Sequence, residues 1–449
     1  MDTPSGLAMK AILLAAGRGE RLKPITETRP KPLIPVLCKP LIHWHLDYLL
    51  NIVEQLDEVI VVASYMRNRV EECVRRHVLY SKTDVKVIDQ GEELGTGHAV
   101  LKGVEALSVD DEVIIAYSDV FTTDSMIYRK LLESPGNVIV GAKHCEPHKY
   151  GVLVIGDGGV LKELFEKPTD PPTNIVNAGF YKLRVGDIYK YLLNLKPSIR
   201  GEYEFTDAIS MLVENGGRVN VLTLNEDWID VGYPWQLLEV QRIALDKLVK
   251  GVEVRGTLEP GASIRGDKIH IGEGSVVLPG TFIEGPVFIG SGVTIGPSAR
   301  LRPYTVICDG SRVGFAVEVK ESLIMENVNA LHLAYIGDSI ICENTNIGAG
   351  SITANLRFDE APVKVSVRGE RLSSGRRKFG AIVGGGVRIG VNVSIMPGVK
   401  IGSYSWIEPG SVVARDVPPR SFLRVKAEYY IEELVEEVSE KGRINEDEH

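Results

Sequence analysis

Aliphatic residues recur at every sixth position across much of the second half of this chain, and few folds accommodate so short a period. Ile271, Val277, Ile283, Ile289, Ile295, Leu301, Ile307, Val313 and Val319 form one unbroken run. Val383, Ile389, Ile395, Ile401, Ile407 and Val413 form a second with the same spacing. If each position were apolar about half the time, nine in succession would arise on the order of once in 500 trials. Hexapeptide repeats of this kind stack short strands into a prism with three flat faces, about 18 residues to the coil, with the anchors inside. Glycine follows many anchors (Gly272, Gly290, Gly296, Gly314, Gly384, Gly390, Gly402), which predicts corners whose backbone conformations only glycine adopts cheaply. The phase slips by one residue near Ile324 and again near Ile341, and a non-repeating segment from Asn355 to Gly380 interrupts the coils. That segment carries Arg357, Lys364, Arg368, Arg371, Arg376, Arg377 and Lys378, a basic loop on a regular scaffold where binding residues are commonly placed.

The first half has a different texture. From Lys10 to about Gly232, short apolar runs (Ala11 to Ala15, Val59 to Val62, Val113 to Tyr117, Val138 to Gly141, Val219 to Leu224) alternate with helical patterns such as Leu41 to Leu50. This alternation predicts an α/β domain with a mostly parallel, doubly wound, Rossmann-like sheet. The expected layout is that domain over 9–232, a linker helix over 233–250 and a parallel β-helix over 251–417. Over 418–449, Tyr430, Ile431, Leu434, Val435 and Val438 predict a helical stripe packed on the last coil, followed by an acidic tail.

A net charge of −9 argues against general affinity for nucleic acid or membrane surfaces, so anionic ligands must be gripped by local basic clusters. Cys38, Cys73, Cys145, Cys308 and Cys342 are scattered without metal-ligand spacing and read as buried thiols of a reducing compartment. No apolar stretch reaches the roughly 18 residues of a membrane span. Met1 to Ala8 lack a signal pattern and precede the first strand, so the expectation is a cytoplasmic protein whose opening octapeptide carries no chemistry.

The strand Ala11 to Ala15 runs into Ala16-Gly17-Arg18-Gly19-Glu20-Arg21, and Lys31 follows within Arg29-Pro30-Lys31-Pro32. Glycines after a strand let backbone N–H groups approach phosphates, while Arg21 and Lys31 can neutralise a leaving pyrophosphate. The segment Leu14 to Arg21 resembles the signature loop of the sugar-1-phosphate nucleotidylyltransferases. That resemblance implies nucleotide contacts at Ala16, Gly17, Gly19, Gln90, Gly95 and Thr96, with Gln90 reading a pyrimidine base. It further implies Mg²⁺ held by Asp119 and Asp230, and a sugar phosphate held by Gly151, Glu166, Lys167 and Asn177. The reaction implied is attack of a sugar 1-phosphate on the α-phosphate of UTP or dTTP. A phosphate oxygen is already an anionic nucleophile, so positioning and charge stabilisation suffice.

A hexapeptide prism alone is as compatible with a scaffold as with an enzyme. The segment Ala330-Leu331-His332-Leu333-Ala334-Tyr335, followed by Asn344 to Asn355, resembles the acetyltransferase half of the bifunctional GlcNAc-1-phosphate enzymes, in their archaeal branch. The resemblance implies a left-handed prism, a homotrimer and acetyl-CoA as co-substrate. It makes His332 the base that deprotonates an amino sugar, a task suited to a side chain titrating near neutrality. Arg302 and Lys320 would hold the sugar phosphate, with Tyr335, Asn346 and Asn355 around the sugar and acetyl group. The basic loop and the stretch around Ala381 and Gly385 would receive the CoA phosphates. Leu331 stands where bacterial members carry glycine, which leaves glucosamine and galactosamine 1-phosphate both open. Two rival readings are a nucleotidylyltransferase with a purely structural, trimerising prism and a non-catalytic regulator like subunits of the eukaryotic translation-initiation exchange factor. A regulator need not keep Arg21, Lys31, Asp119 and Asp230, all of which are present.

Overall fold

The computed structural model describes residues 9–198, 201–426 and 428–432. Its first domain is built on a nine-stranded sheet. The strand Met9–Leu14 lies between Leu56–Ala63 and Glu112–Tyr117, parallel to both, and Asp84–Asp89 extends the sheet in parallel beyond Leu56–Ala63. The first three of these strands are apolar runs of the sequence, buried on both faces as parallel strands are, whereas Asp84–Asp89 is a largely exposed edge. The expectation of a mostly parallel sheet holds for this half, and in the other half only Val219–Leu224 runs parallel to its partner, Asn137–Lys143. Ile175–Arg184 runs antiparallel to Glu112–Tyr117, to Asn137–Lys143 and to Gly151–Ile155, and Leu161–Glu166 is antiparallel to Gly151–Ile155. Gly151–Ile155 and Leu161–Glu166 pair antiparallel because only a short hairpin with the 3-10 turn Asp157–Gly159 joins them, too short to cross the sheet.

The helix Pro234–Leu248 leads into the second domain, where three parallel sheets of eight, nine and eight strands make the faces of a left-handed β-helix. Every period-six anchor named above is buried inside it. The glycines after the anchors serve a purpose other than the one expected. Of the seven, only Gly296 has positive φ (98°). At Gly272, Gly314, Gly390 and Gly402 a Cβ would overlap backbone of the adjoining coil, so the residue is small because coils stack there, not because the chain turns. The strand Phe422–Leu423 pairs with Trp406–Ile407 and carries the prism past the boundary expected at 417. Tyr430 and Ile431 are 92% and 94% exposed and outside any helix, which corrects the expected stripe at those positions; Leu434, Val435 and Val438 lie outside the described residues.

One face of the prism is covered by the rest of the chain. Leu237, Leu238, Ala244 and Leu245 of the linker helix pack with Val306, Leu323, Ile340 and Ile382 of that face in one apolar cluster. The basic loop joins the same cluster: Lys364–Val367 and Glu370–Ser373 form an antiparallel hairpin, with Val363, Val365 and Phe379 buried. Polar contacts seal the seam. Gln241 accepts from the Leu37 N–H (2.9 Å) and donates to the Pro35 carbonyl (2.7 Å), and Arg29 pairs with Glu326 (2.8 Å) and Glu343 (2.9 Å) across the domains. Cys38 and Cys308, expected as free thiols, form a disulfide across this seam, whereas Cys73, Cys145 and Cys342 are free. A pairing over 270 residues leaves no local mark in the sequence.

Candidate active sites

The first site gathers at the C-terminal ends of Met9–Leu14 and Glu112–Tyr117, where ligands of open α/β sheets bind. The loop after Met9–Leu14 places Gly19 at φ 66°, and space around the Cα of Gly17 is open. The short strands Val120–Thr122 and Trp228–Asp230 pair antiparallel, which brings Asp119 and Asp230 together from 111 residues apart in the chain (230 − 119). Lys31 meets both: its Nζ donates to Asp119 Oδ2 and lies 3.4 Å from Asp230 Oδ1. Burial works against the charge on Lys31, but the two carboxylates outweigh it and raise its pKa. Arg21 lies over the Tyr233 ring (4.8 Å), and although burial again opposes its charge, Asp230 and Tyr233 raise its pKa.

Gln90 is buried and donates to the Gly95 carbonyl (3.1 Å). Gly95 has φ 109°, and a Cβ there would stand 2.6 Å from the Tyr203 carbonyl oxygen. The turn is clamped by Tyr203 N–H to Leu94 O (2.7 Å) and by Phe205 N–H to Thr96 Oγ1 (3.0 Å). On the antiparallel half, a Cβ on Gly151 would lie 3.2 Å from Glu166 Oε2, so glycine leaves that carboxylate room. Lys167 reaches Glu166 (3.1 Å), and Asn177 donates to Tyr181 (2.6 Å), which donates to Tyr117 (3.1 Å). The structure thus brings Arg21, Lys31, Asp119 and Asp230 into one cluster and Gly151, Glu166, Lys167 and Asn177 into another. Sequence reasoning missed Tyr233, whose ring carries Arg21 while its side chain caps the linker helix with Gln236. The Tyr-Pro pair at the helix start was its available signal.

The two oxygen donors Asp119 and Asp230 suit Mg²⁺, which prefers one or two carboxylates and takes its other ligands from water and phosphate. Among the described residues no third acidic, His or Cys ligand joins them, so phosphate and water would complete the sphere.

The second site lies on the prism. Coils are 18 residues apart in register until Val319, where Leu301 pairs with Val319, but Val306 pairs with Leu323 and Leu323 with Ile340, 17 apart. Each deletion falls at the corner after Lys320 and after Gly337. The shortened corners stack Glu321 and Asp338, and Asp338, 1% exposed, becomes a hub. It accepts from Lys320 Nζ (3.0 Å) and from Asn355 Nδ2 (2.5 Å), which also donates to Tyr335 Oη (3.1 Å). Arg376 of the basic loop pairs with Glu321 and lies 3.7 Å from Asp338. Arg302 pairs with Glu318 (3.0 Å), one coil from Tyr335 in the same sheet. His332 ends its strand opposite Phe315 and is exposed at the corner before Tyr335, and Asn346 lies in the adjoining coil of the His332 sheet. Lys320, Tyr335 and Asn355 are therefore joined through a residue not singled out in the sequence; Asp338 stands 17 residues after Glu321, a spacing the phase slip near Ile324 announces.

Two expectations fail here. Ala381 is fully buried in the prism core and its N–H donates to Ser339 Oγ (3.0 Å), so it lines no ligand site. Gly385 lies in the domain seam, where a Cβ on it would meet Thr28 and Glu343. Part of the basic loop's charge is already spent, since Arg357 pairs with Asp359 and Arg377 with Glu360 within the loop and Arg376 pairs with Glu321 of the prism.

The Nucleotidyl transferase family matches residues 10–247, and a family described as the GMPPB C-terminal domain matches residues 283–374. Over 418 residues the chain is 45% identical to a bifunctional sugar-1-phosphate nucleotidylyltransferase/acetyltransferase of Sulfurisphaera tokodaii, covering 93% of this chain and 100% of that protein. It is 40% identical over 427 residues to the bifunctional protein GlmU of Methanocaldococcus jannaschii, covering 95% and 100%. With the bifunctional protein GlmU of Caldanaerobacter subterraneus it shares 30% identity over 484 aligned positions, covering 97% and 99%.

Proposed function

The chain belongs to the bifunctional sugar-1-phosphate nucleotidylyltransferase/acetyltransferase family, and from that premise we propose which substrates its two transferase sites take and how their residues act. The second site N-acetylates glucosamine 1-phosphate or galactosamine 1-phosphate from acetyl-CoA. The first transfers UMP or dTMP from the nucleoside triphosphate to a sugar 1-phosphate, GlcNAc 1-phosphate or glucose 1-phosphate, releasing pyrophosphate. The observation that carries this reading is the convergence of Asp119 and Asp230 on Lys31 beside Arg21. A cluster of two cations and two carboxylates at the strand ends is suited to a triphosphate carrying a divalent ion.

At the first site, Gln90 is placed to read the base edge, and Arg21 and Lys31 stabilise the charge that gathers on the departing pyrophosphate. Mg²⁺, held by Asp119 and Asp230, supplies charge neutralisation at the phosphates when bound. Glu166, Lys167 and Asn177 orient the sugar phosphate for in-line attack. At the second site, His332 takes the ammonium proton so that the amine can attack the thioester carbonyl, and CoA leaves as its thiol. Arg302 and Lys320 hold the phosphate of the amino sugar, while Asn346, Tyr335 and Asn355 orient sugar and acetyl groups. Lys364, Arg368 and Lys378 of the hairpin loop supply cations for the CoA phosphates. The faces of the prism left open by the linker helix suit a homotrimer. No helix among the described residues is long and apolar enough to cross a membrane, which agrees with a cytoplasmic location.

Incubation with acetyl-CoA, UTP or dTTP, Mg²⁺ and a panel of amino-sugar and N-acetyl-amino-sugar 1-phosphates tests both halves, reading free thiol and pyrophosphate separately. Thiol release with amino sugars and pyrophosphate release with acetylated sugars is the expected result. Pyrophosphate without thiol across the panel would reduce the prism to a scaffold.

A further inference from the structure

The seam between the domains holds two contiguous cavities of about 620 and about 470 Å³ that share Thr28, Arg69 and Tyr404 as walls. Apart from Gly385, whose expected role in receiving CoA is set aside above, no residue assigned to either transfer reaction lines them. Their walls offer donors with nothing to receive them. Thr28 is 4% exposed and its hydroxyl has no hydrogen-bond partner, and the Nε atoms of Arg29 and Arg67 are likewise buried and unpaired. Arg69 donates to the Thr28 carbonyl and Arg420 lies over the Tyr404 ring (5.2 Å); neither pairs with a carboxylate among the described residues. The acids on these walls are mostly engaged: Glu27 accepts from the Ser403 N–H (2.7 Å), Asp89 accepts from the Gly91 N–H (2.9 Å) and lies 3.7 Å from Arg67, and Glu326 and Glu343 both lie against Arg29, with Glu343 Oε2 left without a hydrogen bond. Buried donors are costly when left unmade, and charged ones most of all.

Unpaired donors (Thr28 Oγ1, Arg29 Nε, Arg67 Nε) outnumber the one unpaired acceptor, Glu343 Oε2, and two arginines lack an acidic partner, which favours a ligand that is compact, anionic and rich in acceptor oxygens. We propose that this seam binds a phosphorylated small molecule and that its occupancy adjusts nucleotidyl transfer. The route of coupling is short. Thr28 and Arg29 stand three and two residues before Lys31, which opens the turn Lys31–Leu33 and touches Asp119. A phosphoryl group held between Thr28, Arg69 and Arg420 ties this segment of the first domain to the last coils of the prism.

The test is equilibrium dialysis of the full chain with inorganic phosphate and with adenosine 5′-monophosphate, in wild type, Arg69→Ala and Arg420→Gln. One binding component should weaken at least about tenfold in both variants, as loss of a charge-assisted contact does, and persist in Lys167→Ala. Tighter binding of the nucleotide than of phosphate at that component identifies a nucleoside phosphate; the reverse identifies a free or sugar-linked phosphate. At saturating substrates the better-bound anion should change the rate of nucleotide-sugar formation in wild type and leave Arg420→Gln at its unchanged basal rate. Isotherms of both seam variants identical to wild type would mean that the cavities hold water alone, and a rate response retained in Arg420→Gln would place the effect elsewhere. Arg420 is exposed, so a folding defect does not cloud that variant.

Discussion

The contact of Lys31 with both Asp119 and Asp230 means that removing either carboxylate does two things: it subtracts an oxygen donor and it releases a buried cation from its place. Asp119→Ala should lower Mg²⁺-dependent pyrophosphate release by about 10²-fold or more, with thiol release unaffected; the two products measured on one preparation check this. Asp338 invites the parallel experiment on the prism. Asp338→Asn keeps the shape but gives up the charge that holds Lys320, so acetyl transfer should fall by about 10²-fold while nucleotidyl transfer persists. His45 shows how pH reaches the first site. It bridges Tyr128 Oη (2.7 Å) and the Val120 carbonyl (2.8 Å), next to Asp119, and burial lowers its pKa to about 4. Because the folded value lies below the ordinary one, the unfolded chain binds the proton more readily. Stability from this residue is full above about pH 6.5 and is lost progressively toward pH 4, by roughly 3 kcal/mol. Denaturation midpoints in wild type and His45→Phe across that range check the slope, which should be shallower in the variant. Arg21, Lys31, Asp119 and Asp230 were legible because each sits in a local motif. Tyr233 and Asp338 were not, since their roles depend on a ring or a carboxylate lying opposite a residue far away in sequence.

At the scale of elements, glycine acts in two ways in this chain. Gly95 must be glycine for its φ of 109° and for the closeness of Tyr203, so Gly95→Ala should destabilise the first domain by about 1–3 kcal/mol and weaken nucleotide binding. Calorimetry with and without UTP reads both effects. Gly390 and its counterparts are glycine because coils approach closely, and the period-six pattern could not separate that cause from a turn. The anchors themselves were legible, since a buried aliphatic every sixth residue can be satisfied only by a prism interior. The antiparallel strand Ile175–Arg184 was not, because apolar composition marks burial and carries no direction.

For the molecule as a whole, the seam decides whether two domains behave as one. Arg29 is the only cation between Glu326 and Glu343 among the described residues, and Arg29→Ala leaves two largely buried carboxylates uncompensated. A loss of about 3–5 kcal/mol is expected, read as a lower chemical-denaturation midpoint for the full chain. None of this seam was legible in the sequence, where Arg29 looked like part of the phosphate loop and Cys38 like a lone thiol. The two 17-residue coils bear on the length of the prism. Within the prism each coil pairs only with the coils above and below, so the 18-residue coils before Arg302 and after Ile395 meet the first domain and the linker helix without setting the constellation around Asp338. Coil number is thus constrained by the seam, while the spacing from Lys320 to Asn355 is constrained by the site itself.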